Sequence, residues 1–70
     1  MPRLEIEIDM NNAPFQDDAA GQVVDILSSI ILRLEDKMYG REEIWDYRQT
    51  LIDTNGNSVG QAVVKPDIQP

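Results

Sequence analysis

The residues whose spacing comes closest to chemistry are Asp53, Asn55 and Asn57, with Gly56 among them, in the stretch Asp53-Thr-Asn-Gly-Asn-Ser-Val-Gly60. Alternating oxygen-bearing side chains also open a calcium loop, because a hard dication needs many oxygens and the alternate positions of a tight loop converge on one point. The continuation departs from that pattern. The sixth position, where such a loop has glycine, is Ser58; the twelfth, where it has glutamate, is Val64; and no carboxylate stands between Asp53 and Asp67. One charged ligand does not hold a dication against water. A calcium-binding module is therefore the least favoured reading, and Asn55-Gly56 is read as a hairpin corner supplying the positive φ angles of a type I′ turn.

Other chemistry finds less support. The chain has no histidine and no cysteine, and its serines fall at helix-surface or turn positions with no base beside them. The pairs Asp17/Asp18, Glu35/Asp36 and Glu42/Glu43 are the right groups for acid and base work. Adjacent helical residues point in different directions, however, and a small domain with one helical layer has little room for a water-excluding cleft. Glycine-rich phosphate loops, zinc spacings and basic aromatic patches are missing. No enzyme activity, metal or cofactor is expected.

Thirteen acidic residues against six basic ones give a net charge of −7 on 70 residues, a field that opposes docking on phosphate backbones or anionic lipid. The same field attracts a basic surface, including one that ordinarily holds nucleic acid, and the plainer reading of such acidity is solubility. A chain this short buries only about 60% of its unfolded surface. With neither disulfide nor zinc to staple it, a homodimer or a partner is one way to make up the difference. No run approaches the length of a membrane span, and the start "MPRLEIEID" alternates acidic and apolar residues where a leader would be basic and then apolar.

The elements follow from periodicity. Leu4, Ile6, Ile8 and Met10 alternate with Glu5, Glu7 and Asp9, which predicts a half-buried strand over 4–10. Pro14 excludes helix at Ala13, Asp17 or Asp18 caps a helix that runs to about Met38, and Phe15 packs over its first turn. Ala20, Val23, Val24, Leu27, Ile30, Ile31, Leu34 and Met38 form its apolar stripe, ended by Gly40. Ile26 falls at the margin of the stripe and Leu32 off it, either together as a partner surface or, as the favoured reading, with Ile26 widening the core stripe and Leu32 an ordinary exposed leucine.

A second strand spans 44–54 with ambiguous facing or a bulge, since Trp45, Tyr47 and Leu51 share one parity and Ile44 and Ile52 the other. The third covers 58–65 and stops at Pro66. Gly60 is read as a bulge or as room for an aromatic neighbour, and 67–70 as a flexible tail. The expected fold is α+β, in the order β-α-β-β. A single domain over 1–66 has one helix packed on a three-stranded, mainly antiparallel sheet of strand order 1-3-2.

Three pieces together, "EIDMNNAPF" at Glu7–Phe15, "ILRLED" at Ile31–Asp36 and "LIDTNGNSVG" at Leu51–Gly60, resemble a group of small bacteriophage and prophage proteins. That group shares an acidic first strand, an Asn-Ala-Phe step into one helix and an Asp-x-Asn-Gly-Asn-x-Val-Gly hairpin. This chain departs from it by Pro14, between Ala13 and Phe15. The resemblance implies a phage context in which short acidic proteins bind and disable host restriction, recombination or CRISPR systems, and it transfers no catalytic residue.

The reading is a cytoplasmic, phage-derived inhibitor, anti-CRISPR-like and acting as a nucleic-acid mimic, that binds a host protein with a basic surface and neither nucleic acid nor membrane. Glu5, Glu7, Asp9 and Asp46 on an acidic face steer the partner, and Trp45 or Tyr47 anchors it, the equal alternative being that these two aromatic residues complete the small core. The alternative is a structural or accessory phage protein that acts as a homo-oligomer through Ile26 and Leu32 or a sheet edge.

Overall fold

The computed structural model describes residues 1–66; the tail expected at 67–70 lies outside the described residues. The order is β1 (Arg3–Ile8), α1 (Ala13–Tyr39), β2 (Arg48–Ile52) and β3 (Ser58–Lys65). The three strands form one antiparallel sheet with β3 in the middle. This is the α+β arrangement that the periodicity predicts.

Register decides which side chains face the helix. Leu4, Ile6 and Ile8 of β1 stand opposite Val64, Ala62 and Gly60 of β3, and Gln49 and Leu51 of β2 stand opposite Ala62 and Gly60 from the other side. Ile26 and Ile30 of α1 close over this face, and with Phe15, Tyr47, Leu51, Val59, Ala62 and Val64 they make the core. A register shift lies between Leu51 and Ile52, where Val59 of β3 is skipped, but Ile52 faces outward by ordinary alternation, and the mixed parity over 44–54 arises because Ile44, Trp45 and Tyr47 precede the strand.

Several boundaries differ from the sequence prediction, each for a local reason. β1 ends at Ile8 because the Asp9 carboxylate turns back to accept the N–H of Asn11 at 3.0 Å. The helix begins at Ala13, not after it, since Pro14 occupies the first turn, where its missing N–H forfeits no intrahelical bond. The expected cap nevertheless exists inside this element. Asp18 has non-helical angles (φ −154°, ψ 76°) and its carboxylate accepts the N–H of Gly21 at 3.0 Å, so a short first turn meets the main helix at a capped kink. Phe15 sits in the core at 4% exposure.

At the other end the N–H groups of Arg41 and Glu42 return to the carbonyls of Met38 and Lys37 at 3.1 and 2.8 Å. This is the six-to-one and five-to-two pairing that closes helices, with Arg41 at φ 57° in the place usually held by glycine. Residues 44–47, expected in the second strand, form a turn in which the Tyr47 N–H reaches the Ile44 carbonyl at 2.9 Å.

The hairpin corner is also of another kind than expected. Only Gly56 has positive φ, at 83°, so Asn55-Gly56 is not a type I′ pair. Thr54 and Asn55 form a type I turn closed from the Gly56 N–H to the Asp53 carbonyl at 3.0 Å, and left-handed Gly56 then completes a three-residue loop.

Two glycines are required for different reasons. A Cβ at Gly56 would meet nothing but would sit on a left-handed backbone, whereas a Cβ at Gly60 would overlap the Glu7 carbonyl oxygen of β1. The close approach at Gly60 is therefore to backbone, not to an aromatic ring. Gly56→Ala should lower stability by about 1 kcal/mol, and Gly60→Ala by at least about 2 kcal/mol as β1 is pushed from β3. Urea unfolding of the two variants measures both; equal costs would contradict the close approach of β1.

Candidate protein-binding site

The six residues expected to meet a partner do not share one surface. Glu5 and Glu7 lie on the sheet face away from the helix, which also carries Arg3, Arg48 and Lys65, three of the chain's six basic residues. Glu5 pairs with Arg3 and, at 3.0 Å, with Lys65. The Lys65 hydrogen bond holds the Glu5 carboxyl below its ordinary value, partial burial opposes this, and the charges of Arg3 and Lys65 reinforce it. The expected acidic face is thus a mixed one, because strand alternation places basic as well as acidic residues outward. Asp9 is occupied with its own turn.

Tyr47 is no surface anchor. It is 2% exposed, and its hydroxyl donates to Gln49, whose amide reaches the Ser29 hydroxyl at 3.2 Å; Ser29 in turn donates to the Ile26 carbonyl at 2.7 Å. This buried relay ties β2 to the helix. Burial pushes the Tyr47 phenol above its ordinary value, with the charge of Arg33 opposing. Ile26, weighed as a partner surface, is likewise in the core at 3% exposure, while Leu32 is exposed at 67%.

Trp45 and Asp46 do come together, with neighbours the sequence reading left as solvated charge. Glu42, Glu43, Trp45, Asp46 and Lys37 line an open hollow of about 650 Å³ below the C-terminal end of α1. The left-handed residue Arg41 turns the chain there, and the 44–47 turn presents Trp45 half exposed. Three carboxylates and an indole around an open hollow, with Lys37 as its one cation, suit an incoming guanidinium or ammonium group, which can stack on the ring and donate charge-assisted hydrogen bonds to the carboxylates. The legible signal was the run Arg41-Glu-Glu-Ile-Trp-Asp46, three acids about one tryptophan.

Asp53 has a structural task. Its carboxylate accepts the N–H groups of Asn55 and Asn57, both at 2.9 Å, and the side-chain amides of Asn57 and Asn12 at 3.4 and 3.1 Å. Donors, not open lone pairs, fill the space that a cation would need. Among the described residues no three acidic side chains are grouped to hold a metal ion, and no helix is long and apolar enough to cross a membrane.

Compared with protein-family models, curated proteins and solved structures, the chain matches none of them.

Two titrations test these placements. Burial opposes ionisation of Asp53, and its N–H donors more than reverse the effect, leaving its pKa below the ordinary 3.8. The stability that Asp53 contributes is thus full above its unfolded value and lost as pH falls through the lowered folded one. The amide shifts of Asn55 and Asn57 should titrate with a midpoint below 3.8; a midpoint above it would remove the clamp.

For Tyr47 the sign is opposite. Its raised pKa gives stability that is whole below about 10 and lost as pH climbs through the folded value. Tyr47→Phe should flatten that alkaline loss while costing about 1–3 kcal/mol at neutral pH, since Gln49 loses its buried partner. Denaturation at neutral and alkaline pH reads both, and an unchanged alkaline slope would count against the burial.

Proposed function

We propose that this chain is a non-catalytic binding protein that inhibits a host defence or nucleic-acid-processing protein by receiving a basic side chain of that partner in the hollow of Glu42, Glu43, Trp45 and Asp46. One observation carries the reading: a tryptophan 52% exposed beside three carboxylates that line the same hollow. Exposed aromatic residues dominate interface hot spots. Here the ring is edged by the charge that selects a cation. The net charge of −7 speeds encounter with a basic surface from a distance, and Glu5, Glu7 and Asp9 contribute to that field without contact.

A groove that binds nucleic acid is basic and contains arginines, so occupying one such arginine competes with the phosphate backbone. The phage origin, the anti-CRISPR-like role and the host cytoplasm rest on the resemblance of the three sequence pieces. The nucleic-acid mimicry rests on charge.

The test is inhibition of candidate nucleases by the wild type, by Trp45→Ala, and by the triple variant Glu42→Gln, Glu43→Gln, Asp46→Asn. All four positions are exposed, so the fold should survive, with far-ultraviolet circular dichroism as the check. Each variant should raise the inhibition constant roughly tenfold or more, and added salt should weaken wild-type binding. Full inhibition by the triple variant, or affinity indifferent to salt, would sink the proposal.

A further inference from the structure

The helix carries a second apolar face that its own core uses only at Leu34. Ala20, Val24, Leu27, Ile31, Leu34 and Met38 follow one another at alternating steps of four and three, the spacing of a heptad seam. Val24, Leu27, Ile31 and Met38 are exposed at 59, 37, 57 and 60%. The intramolecular contact is made by the adjacent stripe, Val23, Ile26 and Ile30, joined from the seam by Leu34, which is partly buried against the core. Hydrogen bonds fix the rotation: Ser29 reaches Gln49 of β2, and Gln22 reaches Thr54 just beyond it. That flank of the helix faces the β2 edge, so the seam, on the other flank, faces β1. There Leu4 and Ile6 of the helix-side face are themselves 45 and 41% exposed.

We infer that a second copy of this chain covers this face, its α1 packed antiparallel against the seam and over the open half of β1. Two measures favour a copy as the occupant. First, the chain exposes 5310 Å², where about 4,400 Å² is usual for a monomer of 7.9 kDa. The excess is close to the roughly 800 Å² per partner of a stable interface.

Second, the residues on the seam match themselves in reverse order. About a two-fold axis at the level of Ser29, Ala20 meets Met38, Val24 meets Leu34, and Leu27 meets Ile31, so the outer layers join a smaller residue to a larger one and the central layer joins two isomers of equal size. A parallel pair would instead set Ala20 on Ala20 and Met38 on Met38. Gly21 and Ser28, small residues on the flank of the seam, let the helices approach closely.

Sedimentation equilibrium from about 1 to 500 μM, a span around ordinary dimer affinities, tests the inference on the full chain. The wild type should reach twice its monomer mass, Ile31→Glu should weaken association roughly 100-fold or more because the axis repeats the change, and Leu32→Asp, off the seam, should dimerise as wild type. Ile31 is exposed, so Ile31→Glu should keep its circular dichroism; Val24→Glu provides a second variant with the same expectation.

Since the chain has no cysteine, an equimolar mixture of Ala20→Cys and Met38→Cys reports orientation. It should oxidise to the mixed disulfide. A wild type that stays monomeric throughout, including one that holds a different protein on this face, overturns the inference. So does a dimer that survives Ile31→Glu and Val24→Glu, or an Ala20→Cys chain that bridges only to itself.

Discussion

One helix is narrower than the sheet beneath it, and most of this structure follows from that mismatch. Three strands spaced by about 4.8 Å make a surface roughly 14 Å wide, while a helix with its side chains is about 10 Å across. α1 makes its closest approach over β2, where Ile26 and Ile30 can bury against Tyr47, Leu51 and Ala62. Having chosen that side, it leaves Leu4 and Ile6 on the inner face of β1 largely uncovered, with Ile8 packed against the core. The chain remains extended for its size, with a radius of gyration of 13.6 Å against about 11 Å for a compact domain of this length.

Polar groups settle which side the helix takes. The relay from Tyr47 through Gln49 and Ser29 satisfies side chains that would otherwise be costly to bury, and it can form only with α1 over β2. The Asn12–Asp53 hydrogen bond joins the start of the helix to the hairpin and fixes the same placement from the other end. Charge is sorted by the same topology. Outward strand positions mix basic with acidic residues, while much of the unbalanced acid falls on the helix and on the loop that follows it. The hollow beside Trp45 is where that acid meets an exposed aromatic ring.

The elements that read clearly in the sequence were those set by strict periodicity and punctuation. The third strand ends where Pro66 requires, and the 1-3-2 order follows from a β-α-β-β sequence kept antiparallel. The helical stripe was visible too, but it spans more than one face, and periodicity cannot say which half of a broad stripe the sheet will take. Ile26, at the margin, became core, and Val24 and Ile31, at the centre, became surface. The site was less legible for a related reason. Alternation placed Glu5, Glu7 and Asp9 on one edge but said nothing of Arg48 and Lys65 beside them, because those neighbours come from pairing across the chain. Tyr47 looked like an anchor until Gln49 and Ser29, distant from each other in sequence, gave its hydroxyl a buried acceptor network.

The central claim is that the half of the sheet under β1 is covered from outside the chain, by a second helix lying on the seam of the first. Isotope-filtered nuclear Overhauser spectra of an equimolar mixture of labelled and unlabelled protein measure this contact between copies directly. The account predicts intermolecular cross-peaks joining the methyls of Val24, Leu27 and Ile31 to one another and to those of Leu4 and Ile6. Spectra with no intermolecular peaks at millimolar protein, or with peaks confined to Leu32 and the outer face of the sheet, would contradict it.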